Sequence, residues 1–212
     1  MAQIIKIDPN HPEHAFSRCR DVIRSGGVVA YPTDTFYGLG ADPGNAQAVR
    51  KLFTIKERPA NQPILLLVKD ASAVREWASE ITPEAEALMK KFWPGPLTLV
   101  FKARPGVLAE LTAGTGTIGL RVPGSTLSLG LLEFLGAALT GTSANRAGGR
   151  SPQTADEVAG SVGAAVDLIL DGGRTPGGEP STVLDVTRTP ARVVREGALS
   201  LRGMAIFVPG LL

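Results

Sequence analysis

The chain has 212 residues, 43% of them hydrophobic, and 22 Lys and Arg against 20 Asp and Glu give it a net charge of +2. That size and apolar content predict one ordinary buried core and a single domain over 1–212, and the near-balanced charge lacks the clustered basic face of a dedicated nucleic-acid binder. One cysteine, Cys19, excludes an internal disulfide, and only two histidines, His11 and His14, precede the first helix in a proline-rich lead-in. This inventory argues against a Ser-His-Asp hydrolase, a histidine-ligated zinc or a histidine general base.

Ala15, Cys19, Val22 and Ile23 fall at helical spacing, which makes Cys19 a buried small hydrophobe, and Gly26-Gly27 ends that helix before a strand over 28–31. Next comes Tyr31-Pro32-Thr33-Asp34-Thr35-Phe36-Tyr37-Gly38-Leu39-Gly40, which reads as a substrate loop. A proline-fixed turn exposes two threonine hydroxyls and a carboxylate, and the glycines let backbone approach a ligand. A helix over 45–56, built on Val49, Leu52 and Phe53, runs into Lys56-Glu57-Arg58-Pro59, and Pro59 cannot continue it. Lys56 and Arg58 form a candidate phosphate clamp, because an arginine fork grips two phosphate oxygens while a lysine neutralises a neighbour. The alternative is a solvated helix end, where cations are common for dipole reasons alone.

Further along, the pattern predicts a strand over 64–69, a helical stretch over 70–92 restarted by Thr82-Pro83-Glu84, and strands over 97–103 and 117–122. A helix over 126–135 and a strand over 137–141 follow. Thr154-Ala155-Asp156-Glu157 has capping-box spacing that opens a helix, and three late strands are read over 166–170, 182–186 and 192–195. The interleaving predicts an α/β (α+β) domain on one large twisted mixed sheet with flanking helices, with antiparallel pairing where strands follow one another late in the chain. Segments 145–152 and 172–180 are too short to separate domains and read as functional loops. The apolar end, 203–212, reads as a docked tail or an interface strand. The longest apolar runs are far shorter than the roughly 20 residues of a bilayer span, and the N-terminus shows no signal sequence, so a soluble, cytoplasmic protein without membrane contact is expected.

Gly114-Thr115-Gly116-Thr117-Ile118-Gly119 matches GxGxxG, but its glycines precede a strand that Pro123 closes, whereas a dinucleotide loop follows a strand and opens a helix. Phosphates must therefore be held by scattered charges and hydroxyls. Thr140-Gly141-Thr142-Ser143-Ala144-Asn145, with Gly148-Gly149-Arg150-Ser151-Pro152, gathers hydroxyls, an amide and glycines where a sheet edge meets a loop; it is either an anion-binding nest or a surface turn. Arg121 projects to one face of its strand while Leu120 and Val122 project to the other, so it serves either a structural ion pair or a planar carboxylate ligand. Ser181 and Arg195 add groups of the same character, and Asp171-Gly172-Gly173 reads as a turn.

Together these residues resemble the YrdC-like domain family, and within it the single-domain, TsaC-type threonylcarbamoyl-AMP synthases. The resemblance runs through PTDTFYGLGAD at 32–42, KERP at 56–59, WPGPLTLV at 93–100, GLRVP at 119–123, TSAN at 142–145, RSP at 150–152, DGG at 171–173, PSTVLDV at 180–186 and REG at 195–197. It implies a YrdC-like twisted mixed sheet around a concave, positively charged cavity. It also implies a K-x-R element acting with S-x-N, here Lys56 with Arg58 and Ser143 with Asn145, as the catalytic set. By the same resemblance Thr35, Arg121, Ser181 and the backbone at Gly141 bind L-threonine, while Arg58, Gln62, Thr117, Ser143, Ser151 and Arg195 surround ATP.

The implied reaction joins L-threonine, bicarbonate or CO2, and ATP into threonylcarbamoyl-AMP and pyrophosphate, for threonylcarbamoylation of tRNA adenosine (t6A) by downstream transfer proteins. Mg2+ is expected on ATP phosphate oxygens rather than in a protein metal site. Asp34 is expected to orient its loop or to transfer a proton. Two positions depart from the family pattern: Leu67, where many relatives carry a histidine near the threonine, and Gln62, where an asparagine or a charged residue is usual. The same fold offers two other functions, double-stranded RNA binding without catalysis and carbamoyl transfer as in hydrogenase maturation proteins. The latter normally sits in a longer chain with zinc-finger cysteines.

Overall fold

The computed structural model describes residues 2–57, 59 and 61–206. Its strands are β1 (Gln3–Lys6), β2 (Val29–Tyr31), β3 (Gly38–Gly40), β4 (Leu65–Leu67), β5 (Leu97–Lys102), β6 (Thr117–Arg121), β7 (Leu139–Ser143), β8 (Leu168–Asp171), β9 (Thr182–Asp185) and β10 (Arg192–Arg195). The helices are α1 (Glu13–Arg24), α2 (Ala46–Lys56), α3 (Pro83–Phe92), α4 (Ala109–Thr112), α5 (Thr126–Leu135), α6 (Ala155–Val162) and α7 (Leu201–Met204). Side-chain oxygens of Asn45, Thr82, Ser125 and Thr154 cap α2, α3, α5 and α6, each accepting from a backbone N–H of the first turn.

The strands form one mixed sheet in the order β1-β8-β2-β3-β7-β4-β6-β5-β9-β10. β8 is parallel to β1 and β2, β4 to β6, and β5 to β9; the other neighbours are antiparallel. Antiparallel pairing is therefore not confined to the late strands, and it dominates the centre around β3 and β7. Three other expectations need correction. The stretch 70–92 is not one helical run: a 3-10 turn at Ser72–Glu76 is followed by an extended segment whose Ala78 bridges Ala103, and only then does Thr82 cap α3. The strand read over 137–141 lies at Leu139–Ser143, because Gly136 takes a left-handed conformation to end α5 and delays it. His14 sits in the first turn of α1 rather than before it, and is exposed. Of the apolar end, 207–212 lie outside the described residues.

Side-chain alternation gives the sheet two unlike faces. On one, Leu39, Leu66, Leu99, Phe101, Ile118, Leu120 and Leu184 join residues of α2, α3 and α6 in the main core. On the other, α1 and α5 cover one end, packing Phe16, Cys19, Ile23, Leu131 and Leu132 against Val29, Tyr31, Leu67, Leu139, Leu168 and Leu170. Beyond these helices the same face continues over β6, β5, β9 and β10 as the floor of a cavity. Among the described residues no helix is long and apolar enough to cross a membrane.

Candidate functional site

The cavity has a volume of about 970 Å³. Thr35, Lys56, Gln62, Thr117, Arg121, Gly141, Ser143, Asn145, Ser151, Ser181 and Arg195 all line it; Arg58 lies outside the described residues. The structure thus brings together candidates up to 160 residues apart in sequence, from 35 to 195. Its described lining also includes Thr98, Val100 and Asp185, which lie within the motifs but carry no role there, and Arg192 and Val194, which no motif covers. Period-two alternation along β5 and β9 is the available signal, since their other residues enter the core, whereas in β10 a bulge between Val193 and Arg195 turns both Val194 and Arg195 to the cavity. Among the described residues the cationic lining groups are Lys56, Arg121, Arg192 and Arg195, against the carboxylate of Asp185, which Thr187 and Arg188 already engage.

Glycines keep the floor at backbone level. A Cβ on Gly141 would stand 2.7 Å from Leu65 Cδ1 and 3.0 Å from Leu67 Cγ. Gly141 and Ser143 reach the cavity from a central strand between β3 and β4, not from a surface turn at a sheet edge, which corrects that reading.

Lys56 ends α2, and Glu57 caps the helix in a left-handed conformation with φ 50°. The lysine is 3% exposed, so the solvated helix end is excluded. Its ammonium donates to the carbonyl of Ser143 at 2.6 Å and to that of Asn145 at 2.8 Å. Asn145 Nδ2 in turn donates to the carbonyls of Arg146 and Gly149 at 2.8 and 2.7 Å, while its Oδ1 is buried without a protein partner. The link between K-x-R and S-x-N is therefore physical: the lysine ties down the loop that carries the serine and the asparagine.

Opposite this loop, Thr33 Oγ1 donates to Phe36 O at 2.6 Å and lies 3.2 Å from Thr35 Oγ1. Thr33 has only one hydroxyl proton, so Thr35 must be the donor in that pair, and it turns lone pairs to the cavity. Tyr37 OH donates to Gly173 O at 2.7 Å and accepts from Gly172 N–H, and Gly177 N–H donates to Thr35 O. The loop over 172–180 is thus fastened across the loop over 32–37. Burial pushes the Tyr37 phenol up to about 12, which keeps it a donor there.

Arg121 is 5% exposed, and its Nε donates to Gly95 O at 2.9 Å while Nη2 meets Asp34 Oδ2 at 2.5 Å. The structural ion pair is therefore present, and Arg121 still lines the cavity. Leu67 is its parallel cross-strand neighbour. At the far wall, Ser181 Oγ lies 2.9 Å from Thr98 Oγ1, and Arg195 donates through Nε and Nη2 to Ser181 O. Partial burial, and after it the positive charge of Arg121, hold the Arg195 guanidinium below its ordinary value.

A family model, Sua5_yciO_yrdC, described as telomere recombination, matches residues 21–197. A threonylcarbamoyl-AMP synthase of Pyrococcus abyssi is 38% identical over 201 residues, covering 95% of this chain and 59% of that protein. One of Thiobacillus denitrificans is 38% identical over 164 residues, 77% of this chain and 87% of that protein. The crystal structure of P. abyssi Sua5 complexed with L-threonine superposes with a TM-score of 0.94 at 36% identity, covering 98% of this chain and 61% of that one. The chain spans about three fifths of the length of the Pyrococcus relative.

Proposed function

The chain belongs to the Sua5–YciO–YrdC family, and we propose that it is a threonylcarbamoyl-AMP synthase, joining L-threonine, bicarbonate and ATP. The observation that carries this reading is the convergence on one open sheet face of Arg121, Thr35 and Ser181 with the Lys56-held loop of Ser143 and Asn145. Its volume, about 970 Å³, suits a nucleotide and an amino acid together. The P. abyssi Sua5 structure, solved with L-threonine, supports the amino-acid half.

In the proposed reaction the threonine amine adds to the carbon of bicarbonate and water leaves, giving a carbamate. A carbamate oxygen then attacks the α-phosphorus of ATP, the bond to the bridging oxygen breaks, and pyrophosphate departs with that electron pair. Arg121 takes the threonine carboxylate, Thr35 accepts from an N–H or O–H of the substrate, and Ser181 donates or accepts beside them. Ser143, Ser151, Thr117, Gln62, Arg58 and Arg195 surround the nucleotide. Lys56 acts chiefly by fixing the loop that meets the phosphates, while its charge, with those of Arg58 and Arg195, offsets the charge of the leaving pyrophosphate.

ATP enters as its Mg2+ complex. Among the described residues no three His, Cys, Asp or Glu side chains converge. The metal would therefore be held by phosphate oxygens and water, with the unpartnered Oδ1 of Asn145 as an additional neutral oxygen within the lining. The reading places the protein in the cytoplasm, upstream of the proteins that transfer the threonylcarbamoyl group to tRNA.

The test is pyrophosphate release from ATP with and without L-threonine and bicarbonate, with the product weighed by mass spectrometry. Release that requires both co-substrates and yields threonylcarbamoyl-AMP is the expected result. No release, together with salt-dependent affinity for duplex RNA, would move the assignment to an RNA-binding member of the fold.

A further inference from the structure

The Asp34 carboxylate is a largely buried charged group that the reaction above does not use. It is absent from the described cavity lining, its side chain is 15% exposed, and its Oδ1 is buried without a hydrogen-bond donor. Its Oδ2 meets Arg121 Nη2, and Gly124 makes room for it: a Cβ there would stand 3.0 Å from Oδ2. On the guanidinium's adjacent edge Nε is held by Gly95 O, and Gly95 N–H is itself pinned to Val122 O at 2.9 Å. Two of the three guanidinium nitrogens are thus fixed from behind, and Nη1 has no protein partner among the described residues.

We propose that Asp34 is a positioning residue, which locks the plane and rotation of the Arg121 guanidinium so that its free edge meets a substrate carboxylate squarely. This rests on the reading that Arg121 receives the amino-acid carboxylate. A flexible arginine loses rotamer freedom when it grips a carboxylate in two places, and an arginine already held on two nitrogens does not. The geometry also shows why a carboxylate is needed behind it. A buried guanidinium without a counter-charge is costly, and a carbonyl alone, such as that of Gly95, supplies none. The orphaned Oδ1 suggests that the aspartate's placement is set by aiming Arg121 rather than by satisfying its own second oxygen.

Positioning and simple charge neutralisation make opposite predictions. Asp34→Asn removes a negative charge next to Arg121, so if Asp34 only neutralises, the pull on an anionic ligand strengthens and the KM for L-threonine falls or stays put. If Asp34 positions, that KM rises by about tenfold or more, as for loss of one charge-assisted hydrogen bond, while the KM for ATP is unchanged. Asp34→Glu keeps the charge but moves it by a methylene group. It raises the KM for L-threonine under positioning and leaves it unchanged under neutralisation, and it carries the test if the asparagine variant fails to fold.

L-threonine titrations by calorimetry and thermal melts on all three proteins separate lost binding from lost folding. A raised KM and a weakened calorimetric affinity, selective for L-threonine in a variant that melts as the wild type does, is the expected result. An unchanged or lowered KM for L-threonine in either folded variant overturns the positioning role. A wild-type protein that neither binds L-threonine nor releases pyrophosphate overturns the functional reading itself, and this inference with it.

Discussion

Lys56 shows how one side chain joins stability to function. A lysine that is 3% exposed can remain charged only where acceptors replace its water, and the carbonyls of Ser143 and Asn145 do so at 2.6 and 2.8 Å. Removing it leaves two carbonyls without that donor and a buried gap. Lys56→Ala is therefore expected to lower unfolding free energy by roughly 2–4 kcal/mol and turnover by about tenfold to a few hundredfold. Lys56→Met, which fills the space without donating, should recover part of the stability and none of the turnover. Denaturant melts and pyrophosphate release on both variants check this. Full activity in the methionine variant would remove the tether from the mechanism and leave the lysine as packing.

At the scale of elements, glycines separate into those that a structure needs and those that it tolerates. Gly197, just past β10, could not take a Cβ without shifting backbone: the atom would lie 2.2 Å from Pro180 O and 2.8 Å from Ser181 C. Gly197→Ala is expected to destabilise by about 1–3 kcal/mol and to push Ser181 out of reach of Arg195, raising the KM for L-threonine. Gly160, inside α6, has nothing within 4 Å of its would-be Cβ, so Gly160→Ala should stabilise by about 0.5–1 kcal/mol and leave kinetics untouched. Equal melting midpoints for the two variants would sink the argument.

The same contrast bears on what was legible beforehand. Helix α5 was read at its observed bounds, because an apolar run between Ser125 and Gly136 carries both its cap and its stop. β3 was missed because Gly38 and Gly40 have no strand propensity of their own; pairing with β2 and β7 on either side imposes the conformation. The apolar signal at Ala137 and Ala138 points to a strand two residues ahead of β7, whose own residues are largely polar where the sheet floors a cavity. The site residues stood out as motifs, but the acceptors of Lys56 did not. They are main-chain oxygens, which no side-chain pattern announces.

The whole molecule keeps protons that its unfolded chain gives up. Cys19 lies on the buried face of α1 in the smaller core, and burial pushes its thiol from 9.0 up to about 12. Burial likewise pushes the Tyr37 phenol from 10.0 to about 12, and it raises that of Tyr31, which is 1% exposed. These groups are protonated in both states below their ordinary values, so their contribution is complete there. Above about pH 9 the unfolded chain loses the Cys19 proton while the native state retains it, so the unfolded state binds fewer protons and stability falls as pH rises. Each such group contributes a slope of about 1.4 kcal/mol per pH unit between its unfolded and folded values. The expected curve therefore bends downward near pH 9 through Cys19 and steepens from about pH 10 as the tyrosines join. Urea midpoints measured from pH 7 to 11 check it. Cys19→Ala should be less stable throughout, from the space it leaves in the core, yet flat between about pH 9 and 10 where the wild type declines. Parallel curves for the two proteins across that interval would mean that the thiol titrates alike in both states, and that the core beneath α1 admits water.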